Sequence, residues 1–144
     1  MKRVSRSAIV ECDADAFYAL VEDVESYPQF LPWCVAAQVQ RREPGRTVAT
    51  LTLGLKGLRR SFTTDNVNVP GRSIDMKLVE GPFRHFASAW RFVALRPGAA
   101  KVEFSMDYEF SSRALAAALG PAFGRLADGT VEAFTKRAMA LRHA

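Results

Sequence analysis

Residues 101–110 alternate without a fault: Val102, Phe104, Met106, Tyr108 and Phe110 take one side, and Lys101, Glu103, Ser105, Asp107 and Glu109 the other. Successive strand side chains point to opposite faces, so this pattern specifies an antiparallel strand with one face on a core and one in water. Such a strand needs partners at its edges and an apolar layer over its buried face. Shorter stretches repeat the pattern. In Thr47–Lys56, Ala49, Leu51, Leu53 and Leu55 share a face; in Ser73–Glu80, Ile74, Met76 and Leu78 do, with Glu80 on that same side. Turn signals at Pro44-Gly45, Lys56-Gly57, Pro70-Gly71 and Pro97-Gly98 join these runs as hairpins. With a first strand over residues 3–11, the chain predicts a meandering antiparallel sheet of about seven strands.

The covering layer comes from helices. Asp13 is placed to cap a helix from Ala14 to Glu22, whose stripe is Phe17, Leu20 and Val21. A second short helical piece over Val24–Tyr27 ends before Pro28. From Ser111 or Ser112 a long helix runs to about Leu141, with Leu115, Leu119, Phe123, Leu126, Thr130, Phe134 and Leu141 near one face, and Gly120-Pro121 predicts a kink near Leu119. The fold class is therefore α+β: a curved antiparallel sheet wrapped around a long C-terminal helix, with two short helices after the first strand. Imperfect filling between sheet and helix would leave a hydrophobic cavity.

Between the short helices and the strands lies Tyr27-Pro28-Gln29-Phe30-Leu31-Pro32-Trp33-Cys34. Two prolines forbid a regular helix or a central strand here. Four large apolar groups thus ride on irregular backbone, where they either plug the end of the core or line the mouth of a cavity.

A length of 144 residues at 49% hydrophobic content makes one domain, residues 1–144, the default. No apolar run approaches the roughly 18 residues of a membrane span, and Glu11, Asp13 and Asp15 interrupt any secretory segment after the basic start. The expectation is a cytoplasmic protein. Cys12 and Cys34 have no metal or redox spacing, and with only His85 and His143 beside them no metal site is expected. The net charge of +5, carried mostly by arginine, points to an anionic partner: lipid headgroups, RNA or an acidic protein. Its sharpest cluster is Lys56-Gly57-Leu58-Arg59-Arg60, three cations around one leucine at a turn, suited to a membrane surface or to ribosomal RNA. No nucleic-acid motif accompanies it, and no DNA partner is expected.

Several landmarks together resemble a known family. They are Tyr27-Pro28-x-Phe30-Leu31-Pro32-Trp33-Cys34, Ser61-Phe62-Thr63-Thr64, Glu80-Gly81-Pro82-Phe83, Trp90-x-Phe92, Tyr108-Glu109-Phe110-Ser111-Ser112 and Ala133-Phe134-x-x-Arg137-Ala138. In order and spacing the chain resembles the START-like helix-grip superfamily, which includes polyketide cyclase-like proteins, and within it the coenzyme Q-binding START-domain family with its bacterial ribosome-association toxin (RatA) branch. It departs from the family pattern at Ala87-Ser88 before Trp90 and at Gly129-Thr130 before the terminal Ala133-Phe134. The resemblance implies two functions. One is binding of ubiquinone or a polyprenyl precursor as ligand, with no cofactor required, in a chaperone role supporting respiration, cytoplasmic or peripheral at the inner membrane. The other is a toxin that binds the 50S ribosomal subunit and blocks subunit association.

The chemistry of the residues favours binding over catalysis. Acid–base candidates are few (Glu80, His85, Asp75 and Tyr108), and no nucleophile–base pair stands out. Expected ligand liners are Phe30, Leu31, Trp33, Phe62, Met76, Leu78, Phe83, Trp90, Phe92, Phe123, Leu126 and Phe134, because aromatics and methionine give dispersion contact to a flexible isoprenoid tail. Glu80 either anchors a ligand headgroup from the end of its strand or turns to solvent. Tyr27–Trp33 and the Gly81–Phe83 turn form the expected gate. Lys56, Arg59 and Arg60 form the expected membrane or ribosome contact.

Overall fold

The alternating stretch becomes a strand with neighbours on both sides, and the sheet is built outward from it. In the computed structural model, which describes residues 1–142, β1 (Lys2–Val10) is followed by α1 (Ala14–Glu22) and a 3₁₀ segment (Val24–Gln29). Six strands come next: β2 (Cys34–Glu43), β3 (Arg46–Leu55), β4 (Leu58–Val69), β5 (Ser73–Glu80), β6 (Phe83–Arg96) and β7 (Ala99–Phe110). Two helices close the chain, α2 (Arg113–Asp128) and α3 (Thr130–Arg142). All seven strands pair antiparallel in the order β1-β7-β6-β5-β4-β3-β2, so the first strand joins the last. Register shifts at Cys34/Ala36, Val39/Arg41, Thr63/Thr64, Phe83/His85 and Ala94/Arg96 bend the sheet, as bulges do, into a curved shape that the helices cross. This is the helix-grip architecture that the sequence predicts.

The turns fall at the predicted pairs. Gly45, Gly57, Gly71 and Gly98 all adopt left-handed φ, between 74° and 81°, which is why the hairpins turn there.

The helix ends differ from expectation in three places. Asp13 precedes α1, but its carboxylate does not cap it; Oδ1 accepts from the Gly98 amide at 2.6 Å and ties the start of α1 to the β6–β7 turn. Pro28 does not end the second helical piece but lies inside the 3₁₀ segment, which runs on to Gln29. Most informative is the C-terminal helix, which is two helices. α2 passes through Gly120-Pro121, and the break falls at Gly129 instead, at φ −90° and ψ 2°. Ser112 caps α2 by accepting from Leu115 N at 3.1 Å.

Trp90 sits at the centre of the core. It is 2% exposed and its ring meets those of Phe17, Phe92, Phe104 and Phe134 at centroid separations of 4.7–6.0 Å. Phe17 comes from α1, Phe104 from β7 and Phe134 from α3, so one side chain joins both helical layers to the sheet. On the outside, Arg42 of β2 bonds Glu22 and Glu25 at 2.8 Å each, fixing the α1 end against the sheet. Trp90→Ala is expected to lower the unfolding free energy by about 3–5 kcal/mol, read by urea denaturation at unchanged m-value. A loss below about 1 kcal/mol would show that the ring is not the hub.

Candidate functional site

The sheet and the two C-terminal helices leave an apolar cavity between them. Its walls come from β3 and β4 (Leu51, Leu53, Phe62, Thr64), β5 to β7 (Met76, Phe86, Ser88, Trp90, Phe104, Met106) and the helices (Phe123, Leu126, Thr130, Phe134). Tyr27 and Trp33 close the remaining side. The chain does this by folding the proline-aromatic segment back on itself. Tyr27 carbonyl accepts from Leu31 N at 2.9 Å, Cys34 N donates to Leu31 O at 2.9 Å, and Gly54 N donates to Trp33 O at 2.8 Å. The Tyr27 hydroxyl donates to Val21 O, so a buried phenol is satisfied, and burial pushes its pKa far above the ordinary range. Leu31 is 1% exposed and Phe30 half-buried. Plug and cavity wall, alternatives from sequence, are here one structure.

α3 holds that plug from outside. Phe134 meets Tyr27 and Phe30 edge-on at 5.3 and 5.2 Å. The Arg137 guanidinium lies 5.2 Å over the Phe30 ring and donates from Nη2 to Gln29 Oε1 at 2.9 Å. The cavity that results measures about 60 Å³. Sites for drug-sized ligands run to roughly 300–1,000 Å³, so this closed form has no room for a prenylated ring.

Of the expected ligand liners, Trp33, Phe62, Met76, Trp90, Phe123, Leu126 and Phe134 border the cavity. Five aromatic or aliphatic residues do not. Phe30 packs beneath Arg137 on the outer side of the plug. Leu31 is sealed in the core, Phe92 stacks behind Trp90, Phe83 sits among Phe62, Phe86, Phe110 and Phe123, and Leu78 is half-buried away from the lining. Glu80 is exposed, not directed inward. One extra residue of β5, Val79, stands against the Thr63–Thr64 step of β4, which pairs Glu80 with Thr63 and slips the strand end out of the alternation. In the Gly81–Phe83 turn, a Cβ on Gly81 would collide with Phe62, and Pro82 O accepts from Ser111 N at 2.9 Å.

Beyond Tyr27, expected at the mouth, sequence reasoning missed Leu51, Leu53, Thr64, Phe86, Ser88, Phe104, Met106 and Thr130 as liners. The alternation of β3 and β7 carried the signal for Leu51, Leu53, Phe104 and Met106. Nothing local marked Ser88, the departure from the family pattern, whose buried Oγ has no hydrogen-bond partner. No carboxylate, imidazole, amine or thiol borders the cavity among the described residues, so the polar chemistry of its lining side chains comes from hydroxyls, the Trp33 and Trp90 indole N–H groups and the Met76 and Met106 thioethers. No group of three or more His, Cys, Asp or Glu side chains among the described residues is arranged to hold a metal.

On the far hairpin, Lys56, Gly57, Leu58, Arg59 and Arg60 are all exposed, and Lys56 itself has φ 51°. None of the three cations has a carboxylate partner among the described residues; Arg60 donates only to the Arg59 carbonyl.

Known proteins match this arrangement closely. The polyketide cyclase/dehydrase and lipid transport family matches residues 10–135. The chain belongs to this START-like family. Within it, the ribosome association toxin RatA of Vibrio cholerae is 42% identical over 138 residues, covering 96% of each chain. The mitochondrial coenzyme Q-binding protein COQ10 homolog B of Xenopus laevis is 26% identical and is covered over 57% of its length. Among solved structures, protein CC1736 of Caulobacter crescentus superposes over all of both chains at 31% identity and a TM-score of 0.75. The ZhuI aromatase/cyclase of Streptomyces shares the fold, at a TM-score of 0.79 and 18% identity over 96% of this chain and 93% of its own. No described helix is long and apolar enough to cross a membrane.

The closed plug makes a chemical prediction. Cys34 is 2% exposed, and burial pushes its thiol up to about 11. Iodoacetamide at pH 8 should modify half-buried Cys12 well before Cys34, and the Cys34 rate should keep rising with pH past 10, as its thiolate appears. Arg137→Met should speed Cys34 labelling at fixed pH by releasing Gln29 and Phe30. Equal rates for the two cysteines in the unmodified protein would contradict the closed plug.

Proposed function

We propose that this protein acts at the ribosome, binding the large (50S) subunit and hindering subunit association. The observation that carries this reading is the similarity to RatA-named proteins across 96% of the chain. The exposed β3–β4 hairpin supports it. Lys56, Arg59 and Arg60 surround Leu58 at a tight turn, without carboxylates to neutralise them among the described residues. RNA phosphates release counterions when such cations approach, so a compact tip of three charges gains affinity on rRNA with little reorganisation. The leucine supplies an apolar contact at the same point. The reading needs no turnover and no cofactor, and it places the protein in the cytoplasm.

Carriage of a hydrophobic ligand, ubiquinone or a polyprenyl precursor, is the second reading. It draws support from the apolar cavity walls, the unpartnered Ser88 hydroxyl and the COQ10-named relative. The volume of about 60 Å³ weighs against it as the resting state, because the plug and α3 would have to part before a tail could enter. The same hairpin would then face an anionic membrane.

Pelleting with purified 50S subunits through a sucrose cushion tests the first reading. Lys56→Glu, Arg59→Glu and Arg60→Glu combined should lower co-pelleting by about tenfold or more, and the salt dependence should flatten by roughly three charges, with thermal stability unchanged. Unaltered pelleting would remove the hairpin from the contact; no pelleting by the unmodified protein would overturn the ribosome reading. Native mass spectrometry of protein gently purified from its host reads the alternative, and a stoichiometric quinone there would promote it.

A further inference from the structure

Two oxygens on the inner face of the sheet are closed off from solvent and have no hydrogen-bond partner among the described residues: Oδ1 of Asn66 and Oγ of Ser88. Asn66 is 3% exposed and Ser88 5%. Buried polar groups are ordinarily satisfied, and each exception calls for a reason. Strand propensity does not supply one, because asparagine is depleted from strands.

The strand register brings the two oxygens into one row. Asn66 of β4 stands opposite Met76 of β5, Met76 opposite Ser88 of β6, and Ser88 opposite Met106 of β7. Met76, Ser88 and Met106 border the cavity, and Asn66 has the inward parity of Thr64, which borders it too. Neighbouring strands lie roughly 4.8 Å apart, so Asn66 and Ser88 are separated by about 10 Å of backbone. The Met76 side chain occupies the interval.

Methionine suits an interval that has to open. Its chain is unbranched, its rotamers are many, and it re-packs against varied shapes. Ser88 has one on each neighbouring strand. The cavity holds about 60 Å³ as it stands, whereas roughly 150 Å³ takes a benzene ring. Swinging the Met76 thioether aside adds the volume of that side chain and uncovers a strip with a polar group at each end.

The two ends ask for different things. The Asn66 amide oxygen only accepts, so a ligand must bring it an O–H or N–H; the Ser88 hydroxyl donates as well as accepts. No cation borders the cavity among the described residues, so an anion has no match there. The other walls are largely aromatic and aliphatic. A ring with a hydroxyl at one side and a second oxygen at the other satisfies both ends, whereas a quinone, with acceptor oxygens alone, leaves Asn66 Oδ1 unpaired.

We propose that this row is a head-group site for a hydroxylated aromatic ring, whose O–H donates to Asn66 Oδ1 and whose second oxygen takes the Ser88 hydroxyl once Met76 has moved aside. This preference rests on the carrier reading and narrows it: the reduced, hydroxyl-bearing form of a quinone-type ring binds more tightly than the quinone.

The test titrates full-length protein, carrying carbon-labelled methionine methyls, with para-methoxyphenol and separately with para-dimethoxybenzene, whose hydroxyl is capped by a methyl group. Saturable NMR shifts of the Met76 and Met106 methyls are expected with methoxyphenol, with Met139 unmoved. Dimethoxybenzene should bind about tenfold more weakly. Asn66→Leu, which removes the acceptor, should erase that difference, and Ser88→Ala should weaken both probes about fivefold; the comparison of probes on the unmodified protein stands without either variant. Equal affinity for the two probes would overturn the hydroxyl preference and leave the carrier reading intact. Shifts that never saturate, or that fall on Met139 alone, would overturn the site. Uptake of a ubiquinone with one isoprene unit but not of methoxyphenol would overturn this inference alone, and uptake of neither would overturn the carrier reading with it.

Discussion

Phe134 of α3 is the contact on which the rest depends. It touches Trp90 on the sheet and Tyr27 and Phe30 in the proline-aromatic plug. Through Trp90 it reaches α1 and β7; through the plug it closes the cavity. Edge-on aromatic pairs of this kind add roughly 0.5–1.5 kcal/mol each beyond their buried area, so the closed state is held by several modest contacts that share one ring. Arg137, one turn further along α3, grips the outer face of the plug. Closure is therefore a property of α3 as a whole, and loosening α3 would act on the sheet, the plug and the cavity together.

That arrangement divides the molecule into a nearly filled interior and a charged outer surface. Most of the interior is filled by side chains, and the small remaining space carries hydroxyls and no acid or base. With the interior nearly closed, the outer surface becomes the part that can recognise something large. The β3–β4 tip projects from the sheet with its charges unspent, while ten other lysine and arginine side chains among the described residues have carboxylates within 4.0 Å.

Much of this was legible in the residues. Period-two alternation located β3, β5 and β7 and their inward faces, and proline–glycine pairs located the turns, because both signals act over a few neighbouring residues. The errors lie where a distant partner decides. Asp13 is placed to cap α1, but the Gly98 amide, 85 positions away, claims its carboxylate. Glu80 shares the parity of Ile74 and Met76, but β5 carries one extra residue, Val79, against its partner β4, and that pairing ends the parity. Gly120-Pro121 looks like the weak point of the terminal helix, yet the chain breaks at Gly129. The site was read less completely than the fold for the same reason. Membership of the cavity lining depends on how far each strand curves, and Leu31, Phe83 and Phe92 are apolar enough to line it but lie too deep or on the wrong side.

The pairing of the first strand with the last has a consequence for how the molecule is made. Lys2 stands opposite Tyr108 and Val10 opposite Ala100, so β1 cannot find its place until some 100 residues have followed it. Non-local pairing of this kind slows folding, and a strand that waits is an open edge in the meantime. During synthesis the β2–β6 meander can assemble as successive hairpins while β1 is still unpaired. Its sequence suits that interval: Lys2, Arg3 and Arg6 put three positive charges on nine residues, which discourages association with strands of other nascent chains before β7 emerges.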